Sequence, residues 1–152
     1  MEMKKIINYQ ILKRIDNRDF DSNKELYISN AIIDTIDFRF TSFIYPVRIN
    51  NCIIGNLLIH SSSFEGGFML ENCVIKESTD YEMGGHNKQP FIIQNNIFIN
   101  RIQFFDCLFE QQVIIRNNVF CQSASLFNGT NSFDNSYIVE TNQGNLDLPI
   151  CL

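Results

Sequence analysis

The chain has 152 residues, 45% of them apolar, with 14 Phe, 5 Tyr, no Trp and a net charge of −5. That is one domain with enough apolar side chains for its own core, and seven Gly and three Pro exclude a collagen-like or disordered chain. Residues 1–25 carry six basic and five acidic side chains, so the remainder is −6 and offers no basic stripe to a nucleic-acid backbone.

The N-terminus, Met1–Gln10, holds basic residues but no long apolar run. As the chain stands we expect no signal peptide, no membrane association and a cytoplasmic protein. Residues 1–25 have two readings. They form a degenerate first coil with Ile7, Leu12, Ile15 and Phe20 inward, or a capping helix on the stripe Ile7, Ile11 and Ile15. Either one covers the N-terminal end, since a bare terminal strand invites pairing with other chains.

Beyond residue 25 an asparagine recurs in register, at Asn30, Asn51, Asn72, Asn95 and Asn117, in steps of 21, 21, 23 and 22 residues. A repeat of that length marks a solenoid. Apolar positions come in pairs two apart, separated by three. The coil from Val47 reads Val47/Ile49, Cys52/Ile54, Leu57/Ile59 and Ser62/Phe64. Each pair is a short strand with both side chains inward and the residue between them outward. The same pattern runs through Leu26–Phe43 and Phe91–Phe109, and begins again at Val113 before loosening around Leu126, Gly129 and Phe133. We therefore expect an all-β, right-handed parallel β-helix of five to six coils of 21–24 residues. The coils occupy 26–140, and 141–152 cap the C-terminal end. The five asparagines form a structural ladder at one corner, where Asn tolerates left-handed backbone and can bond the coils on either side.

Ser78–Pro90 breaks the pattern and reads as a solvated loop. Asp80, Glu82 and His86 are its only candidate ligands, and His60 sits outward. We expect no metal or other cofactor. Five cysteines without a C-x-x-C give neither a disulfide framework nor a zinc signature. Cys52, Cys73 and Cys107 occupy inward positions that elsewhere take Ala, Ser or Thr, and should be buried and reduced. Cys121 and Cys151 fall outside this pattern.

The runs Cys52–Asn56, Cys73–Glu77 and Cys107–Gln111 resemble the units of pentapeptide-repeat proteins, although alternate units here start with a large residue. The runs Ile93–Phe98 and Ile115–Phe120 are similar to the Asn-Asn turn of pectin-lyase-type β-helices. Both resemblances imply a right-handed β-helix over about 26–140, and repeats define a scaffold without a chemistry. Pectin-lyase-type enzymes carry carboxylate clusters, often with Arg or Lys, on an outward sheet. Here the outward acids Asp34, Asp37, Glu65, Glu71 and Glu110 do not recur in neighbouring coils, so no paired carboxylates are expected and no catalytic residue is assigned. Some pentapeptide-repeat proteins resemble DNA. The mixed outward column Ser29, Asn50, Glu71, Gln94, Arg116 and Glu140 lacks the acidic order this needs.

The outward positions carry the functional expectation. One column reads Ile32, Ile53, Val74, Ile97, Val119 and the other Tyr27, Arg48, Met69, Ile92, Ile114, Ile138. A solvated sheet would place polar residues there. Ile53, Met69, Val74, Ile92, Ile97, Ile114 and Val119 are the candidate protein-interaction face, a patch of roughly 400–600 Å² if the columns merge. The expected function is a non-enzymatic scaffold that binds a protein partner or a second copy about a two-fold axis. A terminal segment folded over the face would make it structural instead. A carbohydrate-binding or carbohydrate-cleaving β-helix is the alternative.

Overall fold

The computed structural model describes residues 3–127 and 130–147. All its regular elements are strands, stacked as a parallel β-solenoid of about six coils. One wall is a seven-stranded sheet of Lys4–Asn8, Glu25–Ser29, Val47–Asn50, Phe68–Glu71, Phe91–Gln94, Val113–Arg116 and Tyr137–Glu140. Each strand pairs in register with its equivalent one coil on, as in Val47↔Phe68 and Phe68↔Phe91. The second wall is continuous in the early coils (Ile11–Ile15, Ile32–Asp37, Ile53–Leu58). It divides in two coils, into Val74–Ile75 with Thr79–Glu82 and Ile97–Phe98 with Ile102–Phe105. It rejoins at Val119–Ser125. A narrow third wall stacks Ser42–Phe43 on Ser63–Phe64, then Gly85, Leu108–Phe109 and Ser132–Phe133.

The N-terminal segment is a coil and not a helix. Lys4–Asn8 pairs with Glu25–Ser29 and Ile11–Ile15 with Ile32–Ile36. Stacking decides it, because Ile7 and Ile15 are buried on Ile28 and Ile36. Ile11, which a helical stripe would have buried, is 83% exposed. Phe20 packs edge-on to Phe38, 5.3 Å between centroids, and helps close this end. At the other end, Gln143–Leu146 adds a rung to Val119–Ala124 rather than folding over the coil. Gly129, Cys151 and the rest of the expected cap beyond residue 147 lie outside the described residues.

The core is a set of stacked columns running the length of the solenoid. Like sits on like: Phe43 on Phe64 at 5.3 Å, Phe68 on Phe91 at 5.0 Å, Phe98 on Phe120 at 5.3 Å, Phe109 on Phe133 at 5.3 Å. Such offset pairs add about 0.5–1.5 kcal/mol each beyond burial. Cys52, Cys73 and Cys107 are buried free thiols, while Cys121 is exposed. Burial pushes the Cys107 thiol up to about 11.

The expectation of a loop over Ser78–Pro90 is overturned in its first part, while 83–90 stays irregular with Met83, His86, Lys88, Gln89 and Pro90 exposed. Thr79–Glu82 is a wall strand paired with Ile102–Phe105, and Tyr81 is fully buried. Its hydroxyl donates to Ser62 O at 3.0 Å and accepts from Gly85 N at 2.7 Å. Gly84 is there for space, since a Cβ would overlap the Tyr81 ring. The Gly-Gly pair therefore seats an aromatic ring and is not a flexible hinge.

Candidate interaction face

The first corner is built by left-handed residues. Asn30, Asn51, Asn72, Asn95 and Asn117 have φ between 51° and 59°, with Tyr9 and Thr141 completing the column at either end. Left-handed backbone costs an ordinary residue about 1–2 kcal/mol, and Asn is the side-chain-bearing residue that adopts it most readily. Each corner amide donates to the next coil, as Asn30 N to Asn50 O at 3.1 Å and Asn51 N to Glu71 O at 3.1 Å. On the outside, Asn51 Nδ2 donates to Asn30 Oδ1 at 2.7 Å, and Asn30 Nδ2 to Asn8 Oδ1 at 3.0 Å. Asn72 Nδ2 turns aside to Asn50 Oδ1 at 2.9 Å.

A second ladder, buried at Asn96 and Asn118 and half-buried at Asn142, lies one residue further on. Asn96 Oδ1 accepts from Cys73 N at 2.9 Å, and its Nδ2 donates to Leu70 O at 2.9 Å. Asn118 does the same for Asn96 N and Ile93 O, both at 3.0 Å. Asn142 does so for Asn118 N and Ile115 O, again at 3.0 Å. Each amide thus satisfies the two backbone groups that the preceding corner leaves unpaired. In the earlier coils this column holds Ala31, Cys52 and Cys73, and Cys73 Sγ accepts from Cys52 N at 3.4 Å. The opposite left-handed corner, Phe40, Ser61, Met83 and Asp106, uses the same clamp once. There Asn131 accepts from Cys107 N at 3.0 Å and donates to Phe104 O at 2.9 Å.

This corner divides the expected face. Ile11, Ile32, Ile53, Val74, Ile97 and Val119 form one unbroken outward ladder, paired rung to rung. Ile32, Ile53 and Ile97 are 45%, 39% and 41% exposed. The other column, Tyr27, Arg48, Met69, Ile92, Ile114 and Ile138, extends N-terminally to Ile6. The two do not merge. Between them runs a polar strip in which Arg116 Nε donates to Gln94 Oε1 at 3.0 Å and Gln94 Nε2 to Glu71 Oε2 at 2.9 Å. The pleat forces this, because position 94 points outward between Ile92 and Ile97. The Ile/Val ladder also borders a shallow groove of about 550 Å³ along the asparagine corner, lined by Ile11, Ile32, Ile53 and Val74 together with Tyr9 and Asn51.

The remaining candidates do not converge. Asp80 faces Arg101 at 3.5 Å, Glu82 faces His60 at 3.4 Å and His86 faces Glu110 at 4.0 Å, so the three expected ligands point to three different partners. Among the described residues no group of three His, Cys, Asp or Glu could hold a metal ion. No helix among them is long and apolar enough to cross a membrane.

One polar cluster corrects the expectation of unpaired outward acids. Asp16 and Asp37 occupy equivalent places in adjacent coils, each followed two residues on by an arginine. Arg18 Nη2 pairs with Asp16 at 2.7 Å and Arg39 Nη2 with Asp37 at 2.8 Å. Arg14 bridges both carboxylates. The Arg18 hydrogen bonds hold the Asp16 carboxyl well below the usual carboxylate range, and Arg39 likewise lowers Asp37. The signal lies in Ile15-Asp16-Asn17-Arg18 and Ile36-Asp37-Phe38-Arg39, 21 residues apart. It is readable only once residues 1–25 are known to be a coil. Beside it Phe40 is 75% exposed and meets His60 edge-on at 5.7 Å. Clefts of about 260 and 240 Å³ flank the ring.

Comparison with family models, with curated proteins and with solved structures finds no match to this chain.

Proposed function

We propose that the chain is a non-enzymatic β-helix scaffold that binds a protein surface through its outward Ile/Val ladder. The observation that carries this is the ladder itself: six β-branched side chains, one per coil, on the outer side of one wall, with Ile11, Ile32, Ile53 and Ile97 exposed and Val74 and Val119 half-buried. β-Branched residues have restricted rotamers and lose little entropy on docking. The paired state of Asp16 and Asp37 supports a scaffold over a catalyst, because both carboxylates are engaged by guanidinium groups. Of the two family resemblances, a left-handed corner Asn with an inward amide behind it favours the pectin-lyase type over pentapeptide repeats.

A photo-crosslinking residue at Ile97 tests the reading, with one at outward Gln103 as control. In the cells that make the protein, the Ile97 probe is expected to give a discrete protein adduct that Val74→Lys abolishes and that mass spectrometry identifies. Adducts absent at Ile97, or equal at both sites, would refute it. The second reading, a saccharide ligand, is favoured by the exposed Phe40 ring between two polar clefts. Amide shifts at Arg39 and Phe40 on titration with cellohexaose or xylohexaose would support it. Unchanged spectra at millimolar sugar would remove it.

A further inference from the structure

We infer that the surface seated on the ladder is a second copy of this chain, running antiparallel about a two-fold axis through Ile53. This step rests on the binding reading above. The first argument is pitch. The ladder repeats at the strand spacing of about 4.8 Å. A partner meets it rung for rung only if it carries side chains at the same period, and another copy of this wall does so.

The second argument is charge, and it fixes the register. Two residues beyond each rung lies a flanking outward column, Lys13, Asp34, Gly55, Lys76 and Ile99, in successive coils. Asp34 and Lys76 are exposed, and neither has an ion-pair partner among the described residues. They sit one coil to either side of Gly55, since Ile32 and Val74 are the rungs on either side of Ile53. A two-fold axis along the strand direction at the Ile53 coil reverses the coil order and keeps each column opposite itself. Ile53 then meets its own copy, Ile32 meets Val74, and Ile11 meets Ile97. Asp34 meets Lys76 twice, once on each side of the axis, and Gly55 meets Gly55 with no side chain to hold the walls apart. On the other flank Asn51 faces Asn51 and Asn30 faces Asn72, all able to donate and accept. A two-fold axis along the solenoid would instead put Asp34 against the asparagine corner and leave both charges unpaired.

The area fits a weak, reversible dimer. Five rungs at about 4.8 Å, with the two flanking columns, bury about 500–600 Å² per copy. The total lies just above the roughly 1,000 Å² expected of a biological interface.

Sedimentation equilibrium of the full chain tests this in a Cys121→Ser, Cys151→Ser background. Wild type is expected to shift to twice the monomer mass as concentration rises. Asp34→Lys and Lys76→Asp each raise the dissociation constant about tenfold or more, and the double charge swap restores it, because each single change sets like charges together across the interface. Ile53→Cys, on the axis, is linked to its copy by a short bifunctional maleimide, which spans the roughly 10 Å between packed sheets that a disulfide cannot, and Ile114→Cys is not. Both charged sites are exposed, so circular dichroism of the single variants should be unchanged. A dimer that ignores the charge changes and does not cross-link through Cys at 53 overturns the register. A wild-type chain that stays monomeric to millimolar concentration overturns the second copy as partner. In both cases the ladder reading stands or falls separately, on whether the Ile97 probe captures another protein.

Discussion

Asn118→Ala should be among the most damaging single changes in the molecule, and its neighbour Asn117→Ala one of the milder. The Asn118 amide accepts from Asn96 N at 3.0 Å and donates to Ile93 O at 3.0 Å, inside the buried corner. Truncation to Ala leaves those two backbone groups without partners in a site closed to water. Each orphan costs about 1–3 kcal/mol, so the loss should be about 3–5 kcal/mol with the cavity added. Asn117 is exposed at φ 55°. Alanine there pays the left-handed backbone cost, about 1 kcal/mol, and gives up a solvent-exposed hydrogen bond from the Thr141 hydroxyl to Asn117 Oδ1, while Asn117→Gly gives up that bond alone. The assay is urea unfolding followed by circular dichroism, with midpoints compared at constant slope. If Asn117→Ala costs as much as Asn118→Ala, the buried clamp is not what holds the corner.

Ile54→Ala should cost about 2–5 kcal/mol as a core cavity, and Ile53→Ala less than about 1 kcal/mol in dilute monomer; equal losses in the same unfolding assay would reverse the inward and outward assignment. Under native conditions a thiol reagent should label Cys121 quickly and Cys52, Cys73 and Cys107 only as fast as the fold opens; fast, complete reaction at Cys52 and Cys73 would contradict their burial. Acid should weaken the first two coils. Asp16 and Asp37 are depressed by their arginines, so their stabilisation is complete above the unfolded carboxylate pKa of about 3.9 and is lost as pH falls through their lower folded values. Thermal melts from pH 5 down should show this, and Asp37→Asn should flatten the acid limb; an unchanged limb would mean the pairs carry no net stability.

The architecture was legible because a solenoid writes its core into the sequence once per coil. The alternation at Val47/Ile49 and Cys52/Ile54, repeated at steps of about 21 residues, already contains the inward columns and the corner. What escaped were features lacking that redundancy. Tyr81 is a single ring filling one wall, so its segment read as a loop. Asp16 and Asp37 recur only once, and only if the first coil is accepted as a coil. Asn96, Asn118 and Asn142 share their column with Ala31, Cys52 and Cys73, which hid an amide ladder behind a change of chemistry. The two apolar outward columns and the polar column of Glu71, Gln94 and Arg116 are all visible in the sequence; what the alternation does not show is that the polar column lies between the other two and keeps them from merging.

The buried clamp has a direction, and that bears on how the chain is made. Asn96 reaches back to Leu70 O and Cys73 N, Asn118 to Ile93 O and Asn96 N, and Asn142 to Ile115 O and Asn118 N. No corner in this half is complete until the next coil is in place. A polypeptide emerging from its N-terminus therefore carries, at every moment of synthesis, one finished stack and one corner whose backbone still needs water or a chaperone. The earlier corners, at Ala31 and Cys52, receive no such amide from the coils made after them. They can settle first, as a platform on which the amide-bearing coils are laid one at a time.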